Sequence, residues 1–247
     1  MKNKLLDVFF PRRCMLCDQL LKYGEVGVHR KCQKLLFPTA GAVCMHCGRP
    51  VTSEQVEYCF DCSRKKGVTF TQGRALYVYR GQIKMSMYRF KYSNKREYAD
   101  FLAEQMLERF RDWLRRCDVE AIVPVPMYRR KQRLRGYNQA EVLAGKLHRQ
   151  WQLWSKKQPD IIPPAFEPQL VVRVRDTRPQ KELNDTERKN NLKNAFQTRE
   201  KVVKYKKVLL IDDIYTTGST ADAIAEALYQ AGVQQIFFLS VCIGQGM

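Results

Sequence analysis

The sequence predicts an α/β protein: a mostly parallel sheet flanked by helices, preceded by a small metal-stabilised N-terminal domain. Three observations carry that prediction. Val208-Leu209-Leu210-Ile211 is an unbroken apolar run, the pattern of a strand covered by helices on both faces. From residue 70 onward, stripes at helical spacing, such as Leu102, Met106, Phe110 and Leu114, alternate with short strand-like runs. Before residue 67, cysteines and one histidine fall in pairs with two residues between them, the spacing of zinc knuckles.

Those pairs organise residues 1–66. Cys14-Met-Leu-Cys17 is followed by His29-Arg-Lys-Cys32, and Cys44-Met-His-Cys47 by Cys59-Phe-Asp-Cys62. Thiolate and imidazole suit zinc, and a two-residue gap lets one turn aim two ligands at one ion. The quartet Cys44, Cys47, Cys59 and Cys62 is therefore predicted to hold one Zn2+, with Gly48 easing the knuckle turn. Cys14, Cys17, His29 and Cys32 are predicted to hold a second. His46 reads as a bystander inside a knuckle, and Cys117 and Cys242, alone among apolar residues, read as core. Disulfides are the alternative, disfavoured in a reducing cytosol. The region has too few large apolar residues to fold without metal. The spacing leaves open whether it is purely structural or a grip for nucleic acid or a protein. Lys65-Lys66-Gly67 marks the boundary, and residues 67–247 form the second domain.

In that second domain, Arg74 to Tyr79 fits a strand. Ile83, Met87 and Phe90 then sit at helical spacing beneath a basic face of Arg80, Lys84, Arg89, Lys91, Lys95 and Arg96. The Leu102 to Leu114 stripe gives a longer helix. Ala121 to Pro126 is a strand stopped by two prolines, and Arg129, Arg130, Lys131, Arg133 and Arg135 follow as a concentration of charge able to hold a pyrophosphate. Asn138 to His148 reads as a helix, Ser155 to Pro168 as a surface connector, Leu170 to Val174 as a strand and 175–188 as a long polar segment. After the Val208 strand, Ile224, Leu228 and Ala231 give an amphipathic helix, and Ile236 to Ile243 a final core strand.

At 247 residues the chain can hold one full domain and a small extra one. A formal charge of +19 calls for a polyanionic partner, nucleic acid first and anionic lipid second. No apolar run reaches the length of a membrane span. Leu5 to Phe10 is too short for a signal-peptide core, so a cytoplasmic protein without an integral membrane segment is expected, with peripheral membrane attachment open.

The chemistry is expected around the Val208 strand. Asp212 and Asp213 stand at its C-terminal end, where open α/β sheets bind ligands. The loop Thr216-Thr217-Gly218-Ser219-Thr220 opens the following helix, whose free amides and dipole favour a phosphate. Carboxylates beside a phosphate cradle suit a sugar diol next to a phosphate. This stretch resembles the phosphoribosyl pyrophosphate (PRPP) motif of type I phosphoribosyltransferases. The resemblance implies that fold for residues 67–247, with Asp212 and Asp213 on the ribose hydroxyls and Thr216, Thr217, Gly218, Ser219 and Thr220 around the 5-phosphate. It also implies Mg2+ bound together with PRPP. The 175–188 segment resembles the hood that closes over the reacting centre in these enzymes, with Lys181 and Arg188 placed to meet departing pyrophosphate.

The double knuckle, the segment Arg135-Gly-Tyr-Asn-Gln-Ala140, the segment 177–196 with Gln180, Leu183, Arg188, Asn191 and Phe196, and the Ile211 to Thr220 motif together resemble the ComF family of bacterial natural competence. The resemblance spans nearly the whole chain. It implies a cytosolic role in uptake of transforming single-stranded DNA, beside competence proteins such as the ComFA helicase. Two readings follow. In one, the protein is a DNA-uptake factor that binds PRPP and grips single strands through Arg89, Lys91, Lys95 and Arg96, with Tyr88, Phe90, Tyr92, Tyr128 and Tyr137 available for stacking or for the core. In the other, it is an active phosphoribosyltransferase acting on an unidentified nitrogen base, with Asp212 and Asp213 stabilising the oxocarbenium-like centre.

Overall fold

The computed structural model describes residues 11–176, 192, 194–200 and 203–246. Its N-terminal part is one ribbon made twice, each ligand of the second quartet lying 30 residues after its counterpart in the first. The local hydrogen bonds repeat with it. Cys14 N–H donates to Gln19 C=O at 2.8 Å and Cys44 N–H to Arg49 C=O at 2.7 Å, closing the first knuckle of each ribbon. Met15 and Met45 N–H donate at 2.8 Å to Gly27 and Glu57 C=O, tying each first knuckle to the approach of the second. One-turn helices α1 (Arg30–Gln33) and α2 (Phe60–Ser63) then present the last ligand pair. The first knuckle ends in the left-handed region in both copies, at Asp18 (φ 59°) and Gly48 (φ 76°). At Gly48 a Cβ would come within 2.8 Å of the Gly73 carbonyl and 2.9 Å of Arg74 Cα, so only glycine lets the ribbon sit this close to the sheet.

The main sheet is parallel throughout, in the order β1-β7-β6-β2-β3. Its strands are β1 (Gln72–Val78), β2 (Ala121–Pro124), β3 (Ala165–Phe166), β6 (Lys207–Tyr215) and β7 (Gln235–Ile243). A separate antiparallel hairpin joins β4 (Val171–Arg173) to β5 (Phe196–Thr198). Helices α3 (Ile83–Tyr92), α4 (Tyr98–Cys117) and α6 (Gln139–Ser155) cover one face, packing on Leu209, Ile211, Leu239 and Val241. Helix α7 (Ser219–Gln230) covers the other, against Val208, Leu210, Ile236 and Phe238. The alternation along β6 and β7 is the period-two consequence of burying both faces. The ribbons divide between the same two layers. Cys14, Met15 and Leu16 join the first core, and Cys44, Cys47 and Cys59 the second.

The fold is thus the mostly parallel, helix-flanked α/β sheet with an N-terminal zinc-ribbon region that the sequence predicts. Several elements differ in detail. The polar stretch after Pro126 contains a short helix, α5 (Arg129–Arg135), closed by Gly136 at φ 83°. Helix α6 runs past His148 to Ser155 and is capped by Asn138, whose side chain accepts from Ala140 N–H. The proline-rich connector supplies the edge strand β3, and the Leu170 strand stays in the hairpin, outside the main sheet. Strand β6 continues through the acid pair to Tyr215, because β7 keeps pairing with it from Asp212↔Ser240 to Tyr215↔Ile243. Pairing with β2 stops at Pro124↔Ile211, so Asp212 is the first residue of β6 whose other edge is open. Among the described residues no helix is long and apolar enough to cross a membrane. Leu5 to Phe10, and the Lys181 and Arg188 positions of the hood, lie outside the described residues.

Candidate functional site

In each ribbon the four predicted ligand atoms converge within 4.8 Å of one another, and these are the two metal-capable clusters among the described residues. The spacing fits zinc. With Zn–S near 2.3 Å, a tetrahedral S···S edge is about 3.8 Å, and Cys47 Sγ lies 3.7 Å from Cys59 Sγ. In the first cluster, His29 Nδ1 lies 3.2 Å from Cys17 Sγ and 3.9 Å from Cys32 Sγ. The other ring nitrogen, Nε2, is 2.8 Å from the Leu20 carbonyl. A carbonyl can only accept, so Nε2 carries the proton and donates, leaving the Nδ1 lone pair facing the thiols. His46 is outside both clusters, its ring stacked on Phe70 at 4.3 Å, and Cys117 and Cys242 are buried free thiols.

The acid pair sits where β6 loses its β2 neighbour. Asp213 is buried and its Oδ2 is 2.9 Å from Lys91 Nζ on α3. Burial alone would push the Lys91 ammonium down, but the charge of Asp213, with Asp212 behind it, more than offsets that and raises it. Half-buried Asp212 accepts from Asp213 N–H at 2.8 Å. Its carboxyl is pushed up to about 8, by burial first and by the Asp213 charge second. Two acids, one ammonium and an open strand edge make a site that a divalent cation or a diol can enter.

Beyond Tyr215 the loop turns on Gly218 at φ 85° into the N-terminus of α7, and Thr217 and Ser219 hydroxyls stand 3.0 Å apart. A Cβ at Gly218 would fall 2.3 Å from Tyr215 Oη and 2.6 Å from Lys65 Nζ. The second ribbon clamps this loop from both ends. Buried Arg49 donates from its NH2 nitrogen to the Thr216 carbonyl at 2.8 Å, while NH1 donates to Asp61 and approaches Cys59 Sγ at 3.8 Å. Lys65 pairs with Asp222, in the first turn of α7, at 2.6 Å. One arginine therefore spans from a metal ligand to the predicted phosphate loop. A cavity of about 700 Å³ lies alongside, lined in part by Phe60, Arg64, Lys65, Thr217 and Ser219.

Residues 5–63 match the family model described as a double zinc ribbon domain. Over 235 residues the chain is 32% identical to Competence protein F of Haemophilus influenzae, covering 92% of this chain and 95% of that one. The chain belongs to the competence protein F (ComF) family. It is also 28% identical to the DNA utilization protein YhgH of Escherichia coli K12, over 94% of this chain and 97% of the relative. Competence protein ComFC of Bacillus subtilis is 27% identical, with 89% of each chain covered. Among solved structures, one that it resembles is a hypoxanthine-guanine phosphoribosyltransferase from Schistosoma mansoni in complex with IMP, at 13% identity and TM-score 0.29 over 60% of this chain and 64% of that one.

In this ComF protein the four cations predicted for nucleic acid each meet a partner within the chain. Arg89 donates to the Met15 carbonyl at 3.0 Å and the Leu16 carbonyl at 3.4 Å, in the first ribbon. Lys91 holds Asp213. Lys95 lies 3.7 Å from Asp18 and 3.6 Å from Glu97. Arg96 donates to the Asn94 side chain and the Gly136 carbonyl and stacks over Tyr137 at 4.5 Å. A strand phosphate would have to compete with those contacts. The arginines read from the sequence as a pyrophosphate cluster are gathered more openly. Arg129, Arg130 and Arg133 line a cavity of about 520 Å³ with Tyr128, Arg173 and Arg199. Arg173 is close enough to Asp212 to feel its charge. Sequence reasoning assigned Lys91 to nucleic acid and missed it as the partner of Asp213, and it missed Arg49 as a site residue altogether. The alternation of α3 gave no sign of Lys91 turning inward, and Arg49 stood 167 positions from the carbonyl it holds.

Proposed function

We propose that this ComF-family protein binds PRPP at the end of β6 and handles single-stranded DNA in a competence pathway. The observation carrying the PRPP reading is the open strand edge at Asp212–Asp213 set beside a glycine-led helix start. Asp212 and Asp213 accept from the ribose 2- and 3-hydroxyls, and amides of Gly218, Ser219 and Thr220 with the Thr216, Thr217 and Ser219 side chains receive the 5-phosphate. Asp212 and Asp213 are the residues that would hold Mg2+ entering with the ligand, and the ion would supply neutralisation of the pyrophosphate charge. Lys91 neutralises Asp213, while Asp212 beside it holds a proton more readily than a free carboxyl. Residues 1–66 act as a zinc-ribbon domain and 67–247 as the ligand domain.

The DNA reading rests on the +19 charge and on the names of the relatives, competence proteins and a DNA utilization protein. Transforming single strands in the cytoplasm, delivered by a helicase such as ComFA, are the proposed partner. A transferase reading is favoured by one further observation, the cavity that Arg129, Arg130, Arg133 and Arg173 line together. There a base nitrogen would attack the ribose anomeric carbon and lose its proton. The C–O bond to pyrophosphate would break with its electron pair leaving on the pyrophosphate, which the arginines receive. Isotope exchange between pyrophosphate and PRPP over a panel of bases tests it. Exchange with one base establishes the transferase, and none with any base leaves a binding protein.

A further inference from the structure

We propose that Tyr88 and Tyr92 form a base-stacking platform for single-stranded nucleic acid, with Arg135 as its cationic edge. Helix α3 buries Ile83, Met87 and Phe90 and turns Tyr88 and Tyr92 outward, 57% and 61% exposed. The two rings lie one turn apart, centroids 5.0 Å from each other and tilted by 44°. The Arg135 guanidinium sits 4.8 Å from the Tyr92 centroid and donates to its hydroxyl at 3.3 Å. These rings contribute no closed core. Phe90 and Tyr137, by contrast, are buried and packed on each other, so the structure separates core aromatics from open ones.

A pair of adjacent, outward aromatic rings bordered by cations suits one partner chemistry: flat bases on a flexible polyanion. Aromatic faces accept any base, and arginine adds a cation–π contribution and a phosphate contact. The basic charge of the chain supplies complementarity. The position also has meaning. Lys91, between the two tyrosines in sequence, reaches Asp213, so a strand on this platform lies beside the proposed sugar-phosphate site. This inference rests on the DNA reading above and names its surface.

The test is fluorescence anisotropy of the full-length, zinc-loaded protein with an oligothymidylate of about 20 nucleotides and with an abasic strand of equal length. Tyr88→Ala with Tyr92→Ala should weaken oligothymidylate binding about tenfold, leave the salt slope unchanged, and leave abasic-strand binding unaltered. Tyr88→Trp and Tyr92→Trp, which keep an aromatic face, should hold or improve affinity. Circular dichroism and zinc content check that each variant is folded. Equal affinity of wild type and a folded double-alanine variant overturns the platform while the DNA reading stands. So does an equal loss on the abasic strand. Failure of wild type to bind any strand at low salt overturns both.

Discussion

Arg49→Lys is the substitution with the most to say about how the two parts of this protein work together. Arg49 is 4% exposed and holds two partners at once, Asp61 in its own ribbon and the Thr216 carbonyl of the loop. A lysine keeps the charge but presents a point donor on a narrower stem, so it serves one partner and abandons the other. A hydrogen bond to a charged group contributes about 1.5–3 kcal/mol. Asp61 keeps some solvent access, which puts the stability loss near the lower end, about 1–2 kcal/mol. Nothing in the ligand shell of either quartet is removed, so the zinc content should not change. The loop, however, loses its anchor at Thr216 and must be ordered by the ligand. PRPP affinity should then fall about tenfold, equivalent to about 1.4 kcal/mol. Urea unfolding, metal analysis and titration calorimetry on one preparation measure all three. Undiminished PRPP affinity in a variant that is destabilised but zinc-replete would refute the claim that the ribbon positions the loop.

Four further outcomes follow from the same geometry. Cys44→Ser or Cys59→Ser should empty the second site and Cys14→Ser the first, halving the zinc found by metal analysis in each case, because every quartet has only its own four ligands. Gly218→Ala, whose methyl group would collide with Tyr215 Oη at 2.3 Å in a left-handed backbone, should destabilise the fold by about 1–3 kcal/mol in urea and weaken PRPP binding. Asp212 is raised from 3.8 to about 8 by burial and by Asp213, so between those values the folded state holds a proton that the unfolded state releases. Stability should therefore fall as pH rises from about 4 to about 8, and Asp212→Asn should flatten that slope in thermal unfolding. Lys91→Met should steepen the loss at neutral pH by leaving Asp213 buried without its ammonium, seen as a lower Tm that is partly recovered in acid.

How far the sequence reached depends on whether a feature was local. The ribbons were legible because zinc demands two ligands per turn, so Cys14, Cys17, Cys44 and Cys47 announce themselves by spacing. Strand β6 was legible because four apolar residues in a row have nowhere to go but a covered sheet. Its end was not, since the extension through Asp212 to Tyr215 is set by β7, a later segment whose register no local pattern encodes. The basic face of α3 was only partly legible for a related reason. Helical spacing places Lys91 next to the apolar stripe, but which flank of the stripe turns toward the acid pair depends on how α3 packs. Lysine's long stem then lets the ammonium reach Asp213 from the edge of the core. Arg49, which no motif singles out, and Lys65, read as part of the domain boundary, find their roles only where the second ribbon rests on the α7 start.

The central claim is that the end of β6 is a PRPP site, and calorimetry of PRPP with Mg2+ tests it most directly. Wild type should bind, and Asp212→Asn combined with Asp213→Asn should lower the affinity at least tenfold, about 1.4 kcal/mol, with zinc content and circular dichroism unchanged. Equal affinity in the double variant, or no binding heat from the zinc-replete wild type, would contradict it.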